Sequence, residues 1–306
     1  MSTLAAAARP GLRASTKATL VGLLAVALWS TIVGLIRGVS QNFGATGGAA
    51  LIYTVGSVLL LLSVGPTRVS QLPRRYLLAG GALFVAYEWC LSLSLGYATN
   101  ARQAIEVGMV NYLWPTFTMT AAILFNRQRA SGLIVPGFLL GIAGIGLVLG
   151  GEAGFDPAGM VANVRSNPLS YGLAFAGAVI WAAYCTVTAR IARGGNAVTL
   201  FFALTAASLW VQYALHEQAP MTVTLHAVVL LVLAAAAMAF GYAAWNVGIL
   251  RGNLTVLAGA SYFIPVFSAA LAAALLGAVL PAAFWQGAAM VTGGSLLCWA
   301  ATRARR

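Results

Sequence analysis

The sequence predicts an all-α integral membrane protein: ten transmembrane helices arranged as two inverted five-helix repeats around a central cavity. Three observations predict it. Apolar residues make up 61% of the chain and charged ones 7%, against about 45–50% and about 25% in a soluble domain. Ten apolar stretches have roughly the 20-residue length that crosses hydrocarbon as a helix. Finally, Tyr112 with Pro115, Gly137 and Gly144 recur 150 positions later as Tyr262 with Pro265, Gly287 and Gly294, the mark of one unit written twice.

Span 1, Ala18 to Ile36, follows Arg9, Arg13 and Lys17 and contains Ala25-Val26-Ala27, which imitates a secretory signal with its cleavage site. Its apolar run continues without polar relief, so it is predicted to be retained as a helix. Span 2 runs Gly47 to Val64. Span 3, Tyr76 to Gly96, carries Glu88, with Ser92 a turn later and Gly81 two turns earlier on the same face. Span 4, Arg102 to Phe125, holds Asn111, Trp114, Pro115 and Thr118 on one stripe, and span 5 is the glycine-rich stretch Ser131 to Gly150. Gly151 to Pro168 is the longest connection and holds the seam between the halves.

The second half repeats the order. Span 6, Leu169 to Ile191, sets Trp181, Tyr184, Cys185 and Thr188 at spacings of three, four and seven, a single helical face. Span 7 is Ala197 to Leu215. Span 8, Val223 to Ile249, repeats the idea with Tyr242, Trp245 and Asn246. Span 9, Asn253 to Leu276, aligns Ser261, Pro265 and Ser268, and span 10 is Ala282 to Ala301. The predicted domains are residues 1–151 and 169–306, joined by 152–168, with no soluble domain left over.

Basic residues gather on the cytoplasmic side of a membrane protein. With the N-terminus inside, Arg9, Arg13, Lys17, Arg68, Arg74, Arg75, Arg127, Arg129, Arg190, Arg193, Arg251, Arg303, Arg305 and Arg306 lie inside, against Arg37, Arg102 and Arg165 outside. This asymmetry predicts an inner (plasma) membrane protein with both termini in the cytoplasm. It also accounts for the +12 charge without nucleic acid, for which no soluble surface remains.

Enzymatic chemistry finds no support. Asp156, the only aspartate, sits in a loop; His216 and His226 are the only histidines, and the five acidic residues are scattered. Neither a metal site nor a nucleophile with its base can be assembled, and no cofactor is predicted. Cys90, Cys185 and Cys298 are expected to be free, buried thiols.

What remains is aromatic and polar residues at mid-membrane depth. Pro115 and Pro265 cannot donate to the carbonyls of Asn111 and Ser261, and such freed acceptors suit a cavity at membrane depth. The kinks are predicted to bend spans 4 and 9 around a central hollow, with the freed backbone helping to hold a substrate ammonium. Packing kinks satisfied by nearby hydroxyls are the competing reading, as helix packing is for the aromatic stripes. Glu88, alone near the middle of a span, is either a proton or cation site or an interhelical tie. Glu106 is explained by an ordinary ion pair with Arg102 one turn away.

The run Asn111-Tyr112-Leu113-Trp114-Pro115-Thr116-Phe117 and its partner Ser261-Tyr262-Phe263-Ile264-Pro265-Val266-Phe267, each followed by a glycine-rich helix, resemble the EamA repeats of the drug/metabolite transporter superfamily. Trp29 and Trp181, near the same place in the two halves, strengthen the likeness, which covers the whole chain and comes nearest to exporters of aromatic and other amino acids. One departure is visible: many EamA repeats close the fourth helix with Gly-Glu, where this chain has Asn126 and Gly277-Ala278. The resemblance implies a ten-helix basket whose cavity walls come from spans 1, 3, 4, 6, 8 and 9. The candidate substrate contacts are Trp29, Tyr87, Glu88, Asn111, Trp114, Trp181, Tyr184, Tyr242, Trp245, Asn246, Ser261 and Tyr262.

Nucleotide sugars and sugar phosphates would need Arg or Lys in the pore, and every basic residue is placed at a helix end or in a loop. A zwitterion needs only helix dipoles, carbonyls, hydroxyls and aromatic walls. The predicted function is therefore export of aromatic and other neutral amino acids by alternating access. An exporter of lipophilic cations, with Glu88 as counter-ion, is the first alternative. A non-transporting helical assembly built through Gly137 with Gly141 or Gly146 with Gly150 is the second. Oligomeric state and the choice between proton coupling and facilitated diffusion stay open.

Overall fold

The computed structural model describes residues 12–127, 129–215 and 220–303. Arg9, His216, Arg305 and Arg306 lie outside these described residues, as do the side chains of Arg13, Asn126 and Arg303. Among the described residues every regular element is helical.

The first helices are α1 (Leu12–Phe43), α2 (Ala45–Ser63) and α3 (Gly81–Gly96), the last entered through a wider π turn at Tyr76–Gly80. Gly44, at φ 74°, lets α1 turn into α2 through a single residue. The fourth span is broken into α4 (Ala101–Asn111) and α5 (Trp114–Asn126), with α6 (Ile134–Gly150) following. The ninth is broken likewise. After α8 (Pro168–Ile191), α9 (Val198–Leu215) and α10 (Leu225–Arg251) come α11 (Leu254–Ser261), α12 (Ile264–Leu276) and α13 (Ala282–Arg303). Seven of these helices are long and apolar enough to cross a membrane. Neither half of a broken helix reaches that length, and Trp285, Gln286, Thr292, Ser295 and several glycines dilute the apolar character of α13.

Two expectations are corrected. The connection 152–168, read as loop, contains the helix α7 (Pro157–Ser166); the Asp156 side chain accepts from the Ala158 N–H and Pro157 sits in its first turn, two start signals that outweigh a short polar sequence. Arg37 was placed at a helix end, but α1 runs on to Phe43 and buries Arg37 to 9% exposure. One charged residue did not stop the helix because Gly38, Val39 and Phe43 beyond it pack into the protein.

Helices pack in antiparallel pairs. Along α1 and α10, Gly22 meets Gly248, Trp29 meets Gly241 and Gly38 meets Leu230. Along α3 and α8, Gly80 meets Thr188, Tyr87 meets Trp181 and Ser94 meets Ser170. Along α2 and α9, the Trp210 indole donates to Thr54 at 2.9 Å, and the Thr199 hydroxyl donates to the Gly65 carbonyl at 3.1 Å. Along α6 and α13, backbone meets backbone: a Cβ on Gly144 would stand 2.7 Å from the Gly287 carbonyl oxygen, and one on Gly287 2.5 Å from that of Gly144. Gly137 and Gly294 repeat this contact two turns away, so the small-residue faces of these helices are spent on each other. Leucines such as Leu20, Leu62, Leu78 and Leu124 stay exposed on the perimeter, the surface a bilayer would cover.

Candidate substrate chamber

Both broken helices stop at the residues whose carbonyls the prolines cannot use. The helices α4 and α11 end at Asn111 and Ser261, the chain makes a turn through Tyr112-Leu113 and Tyr262-Phe263, and α5 and α12 restart with Pro115 and Pro265 in their first turns. A proline is well placed there, because the first turn of a helix has no use for its missing N–H.

Beside these breaks lies a chamber of about 150 Å³ lined by Trp29, Ile32, Tyr87, Leu91, Tyr112, Trp114, Trp181, Cys185, Met238, Tyr242, Trp245, Ser261 and Ile264. An apolar hole of that size holds an aromatic ring. Trp181 organises the wall: its ring lies 4.4 Å from Tyr87, 4.9 Å from Tyr184 in a stacked arrangement, 6.1 Å from Tyr242 and 6.3 Å from Trp114. Opposite, Trp29 packs at 5.3 Å from Tyr242 and 5.4 Å from Trp245, its indole edge against Gly241, where any side chain would collide with it.

The chamber continues into a funnel of about 470 Å³ that shares Trp29, Trp181, Cys185, Tyr242 and Trp245 and runs past Tyr184, Thr188 and Asn246 to Arg190, Arg193 and Asn196. The other end is tied shut. Asn167 donates to the Tyr97 carbonyl and the Gln103 side chain at 2.9 Å each, the Ser170 hydroxyl donates to the Ser94 carbonyl, and Arg37 donates to the Gly96 carbonyl at 3.0 Å. Glu106 belongs to this seal. Beyond its ion pair with Arg102 at 3.0 Å it accepts from Asn163 and from the Tyr171 hydroxyl at 2.8 Å each, so it joins α4, α7 and α8, more than an isolated pair does.

The sequence-predicted contacts divide into three groups. Trp29, Tyr87, Trp114, Trp181, Tyr242, Trp245 and Ser261 stand together in the chamber wall, and Tyr184 and Asn246 in the funnel. Asn111 turns instead to the Ala174 carbonyl on α8, at 3.3 Å. Tyr262 is buried against Trp299 at 6.2 Å. Glu88 is fully buried behind the wall, each carboxylate oxygen accepting at 2.6 Å from one phenol, Tyr53 on α2 and Tyr242 on α10. It holds Tyr242, which faces the chamber, from the back. The three cysteines are free; Cys90 and Cys298 are buried, and Cys185 is half-buried at the chamber wall.

Sequence reasoning missed Tyr112, Ile32, Leu91, Met238 and Ile264. An aliphatic chamber wall carries no sign that separates it from a lipid-facing one, whereas the tyrosine three residues before each proline was a signal for Tyr112. No known family profile matches the chain. Full-length relatives do. The chain is 58% identical over 287 residues to the aromatic amino acid exporter YddG of Escherichia coli, covering 94% of this chain and 98% of that protein. The chain belongs to the YddG family. The YddG of Salmonella typhimurium is 57% identical over 291 residues, and that of Ancylobacter novellus 29% over 288. A solved crystal structure superposes with TM-score 0.64 at 27% identity, covering 95% of this chain and 99% of the other. The YddG relatives are exporters rather than enzymes, and with the apolar helices they make this chain an integral membrane protein.

Proposed function

We propose that the protein exports aromatic and other neutral amino acids from the cytoplasm across the inner membrane. The observation that carries this reading is the chamber: seven tryptophan and tyrosine rings and no charged side chain in its wall beside two broken helices. Helix ends supply the rest. The C-terminal ends of α4 and α11 favour an ammonium and the N-terminal ends of α5 and α12 a carboxylate, so one amino acid can span a break while its side chain lies among the rings. YddG names at 57–58% identity over nearly the whole chain support the same substrate class.

We further read residues 1–151 and 169–306 as two inverted copies of five spans, counting each broken pair as one, in the EamA manner. The packing supports this. The pairing of α1 with α10 repeats as α8 with α3, and α2 with α9 and α6 with α13 each join equivalent helices head to tail. A funnel opening among Arg190 and Arg193 then faces the cytoplasm under the basic-residue asymmetry, with both termini on that side, and alternating access exchanges this opening for one at the sealed end.

The chamber wall without a carboxylate argues against lipophilic cations, since both oxygens of Glu88 are occupied by phenols. In liposomes containing the protein, labelled phenylalanine is expected to accumulate by counterflow and unlabelled tryptophan to suppress it. An aromatic dication that suppressed it more strongly than tryptophan would favour the cation reading, and no protein-dependent flux would end both.

A further inference from the structure

Arg37 ties the sealed end through Gly96, but the reading above gives its buried charge no role. It lies within α1, is 9% exposed, and spends one guanidinium nitrogen on the Gly96 carbonyl at 3.0 Å, where the C-terminal end of α3 favours positive charge. Its Nε is buried without a partner, and no carboxylate among the described residues pairs with it. A buried guanidinium missing its anion is costly, and a helix needing only a cap for Gly96 could be served by a smaller neutral donor.

Its direction matters. Val33, one turn before Arg37, packs against Gly108 of α4, and Gly34 packs against Ala272 and Leu275 of α12. At about 100° per residue, Arg37 points between those two directions, into the angle where the broken helices flank α1. Gly108 on α4 is one turn before Tyr112 at the break, and Leu91 one turn from Leu95 beneath Gly96 on α3; both Tyr112 and Leu91 line the chamber. Arg37 therefore stands directly past the chamber on the sealed side.

We propose that Arg37 is a second binding site for the substrate carboxylate, on the outward half of the route, and that it receives the amino acid as the seal parts. This rests on the amino acid reading above. The planar fork of Arg suits a carboxylate through two parallel hydrogen bonds, and its unpaired Nε leaves one edge available for them. A carboxylate on that edge would compete with the Gly96 carbonyl for the same guanidinium charge, loosening the α1–α3 contact as the leaving substrate binds.

The test uses phenylalanine and phenylalaninamide, which lacks the carboxylate charge, as competitors of labelled phenylalanine, applied to each face of vesicles of known orientation. The parent is expected to discriminate against the amide more strongly at the outer face than at the cytoplasmic face. Arg37→Gln is expected to lose that outer-face discrimination about tenfold, leaving the cytoplasmic-face discrimination in place, and Arg37→Lys is expected to restore part of it. Equal discrimination at both faces of the parent overturns the proposal, whether or not the variants fold. So does an Arg37→Gln protein with parental discrimination at both faces. A parent that carries no amino acid overturns the transport reading itself, and this inference with it.

Discussion

Replacing Trp181 with alanine is expected to lower phenylalanine counterflow by at least about tenfold while the purified protein stays folded. The ring contributes the face against which Tyr87 and Tyr184 pack and closes the chamber toward Trp114, and a stacked aromatic pair is worth about 0.5–1.5 kcal/mol beyond the area it covers. A substrate ring would lose at least one such partner and would sit in a widened hole filled by water. Folding should tolerate the change, because Trp181 is only half-buried and already borders open space on one side. Trp181→Phe, which keeps a flat ring, should retain most of the flux. A protein that unfolds with alanine, or transports at the parental rate with it, would show Trp181 to be packing alone. Initial rates in liposomes, beside the thermal melting point of the same preparation, separate these outcomes.

Glu88→Ala is expected to fail at an earlier stage, yielding little folded protein. Its two oxygens hold phenols from α2 and α10 at 2.6 Å, and Ser92 stands 3.2 Å from the Tyr53 hydroxyl. Truncation leaves both phenols without this acceptor, at about 1–3 kcal/mol for each one left unsatisfied in a buried site, and adds an empty volume. Glu88→Gln should behave differently, because the amide accepts from one phenol and donates to the oxygen of the other. It is expected to fold and to carry phenylalanine within about twofold of the parent, independent of a pH gradient. Counterflow with and without such a gradient decides it: a Gln variant that is folded and has lost only gradient-driven flux would make Glu88 a proton site in place of an interhelical tie.

The legibility of this chain in its sequence followed from where its physics is periodic. Solvent, helix class and the positions of the helix breaks were readable because hydrocarbon length, proline chemistry and a 150-residue repeat each leave a spaced signal. Trp114, Trp181, Tyr242 and Trp245 of the aromatic wall were readable as stripes on spans 4, 6 and 8. Glu88 and Asn111 were legible as unusual residues, but not in their partners, since Tyr53, Tyr242 and the Ala174 carbonyl reach them from other helices. The same limit hid the Glu106 cluster, where Asn163 arrives from the connecting segment and Tyr171 from the helix beyond it. Arg37 was misplaced for a related reason: a charge in an apolar run reads as its end unless the packing that encloses it is known.

Cys185 offers the most direct test of the chamber, for it stands in the wall shared by chamber and funnel while Cys90 and Cys298 are buried. With those two replaced by alanine, a small membrane-impermeant thiosulfonate should modify Cys185 when added at the cytoplasmic face, and phenylalanine or tryptophan should slow the modification in proportion to its occupancy. Modification unchanged by saturating substrate, or occurring only from the opposite face, would contradict an aromatic chamber that loads its amino acid from the cytoplasm.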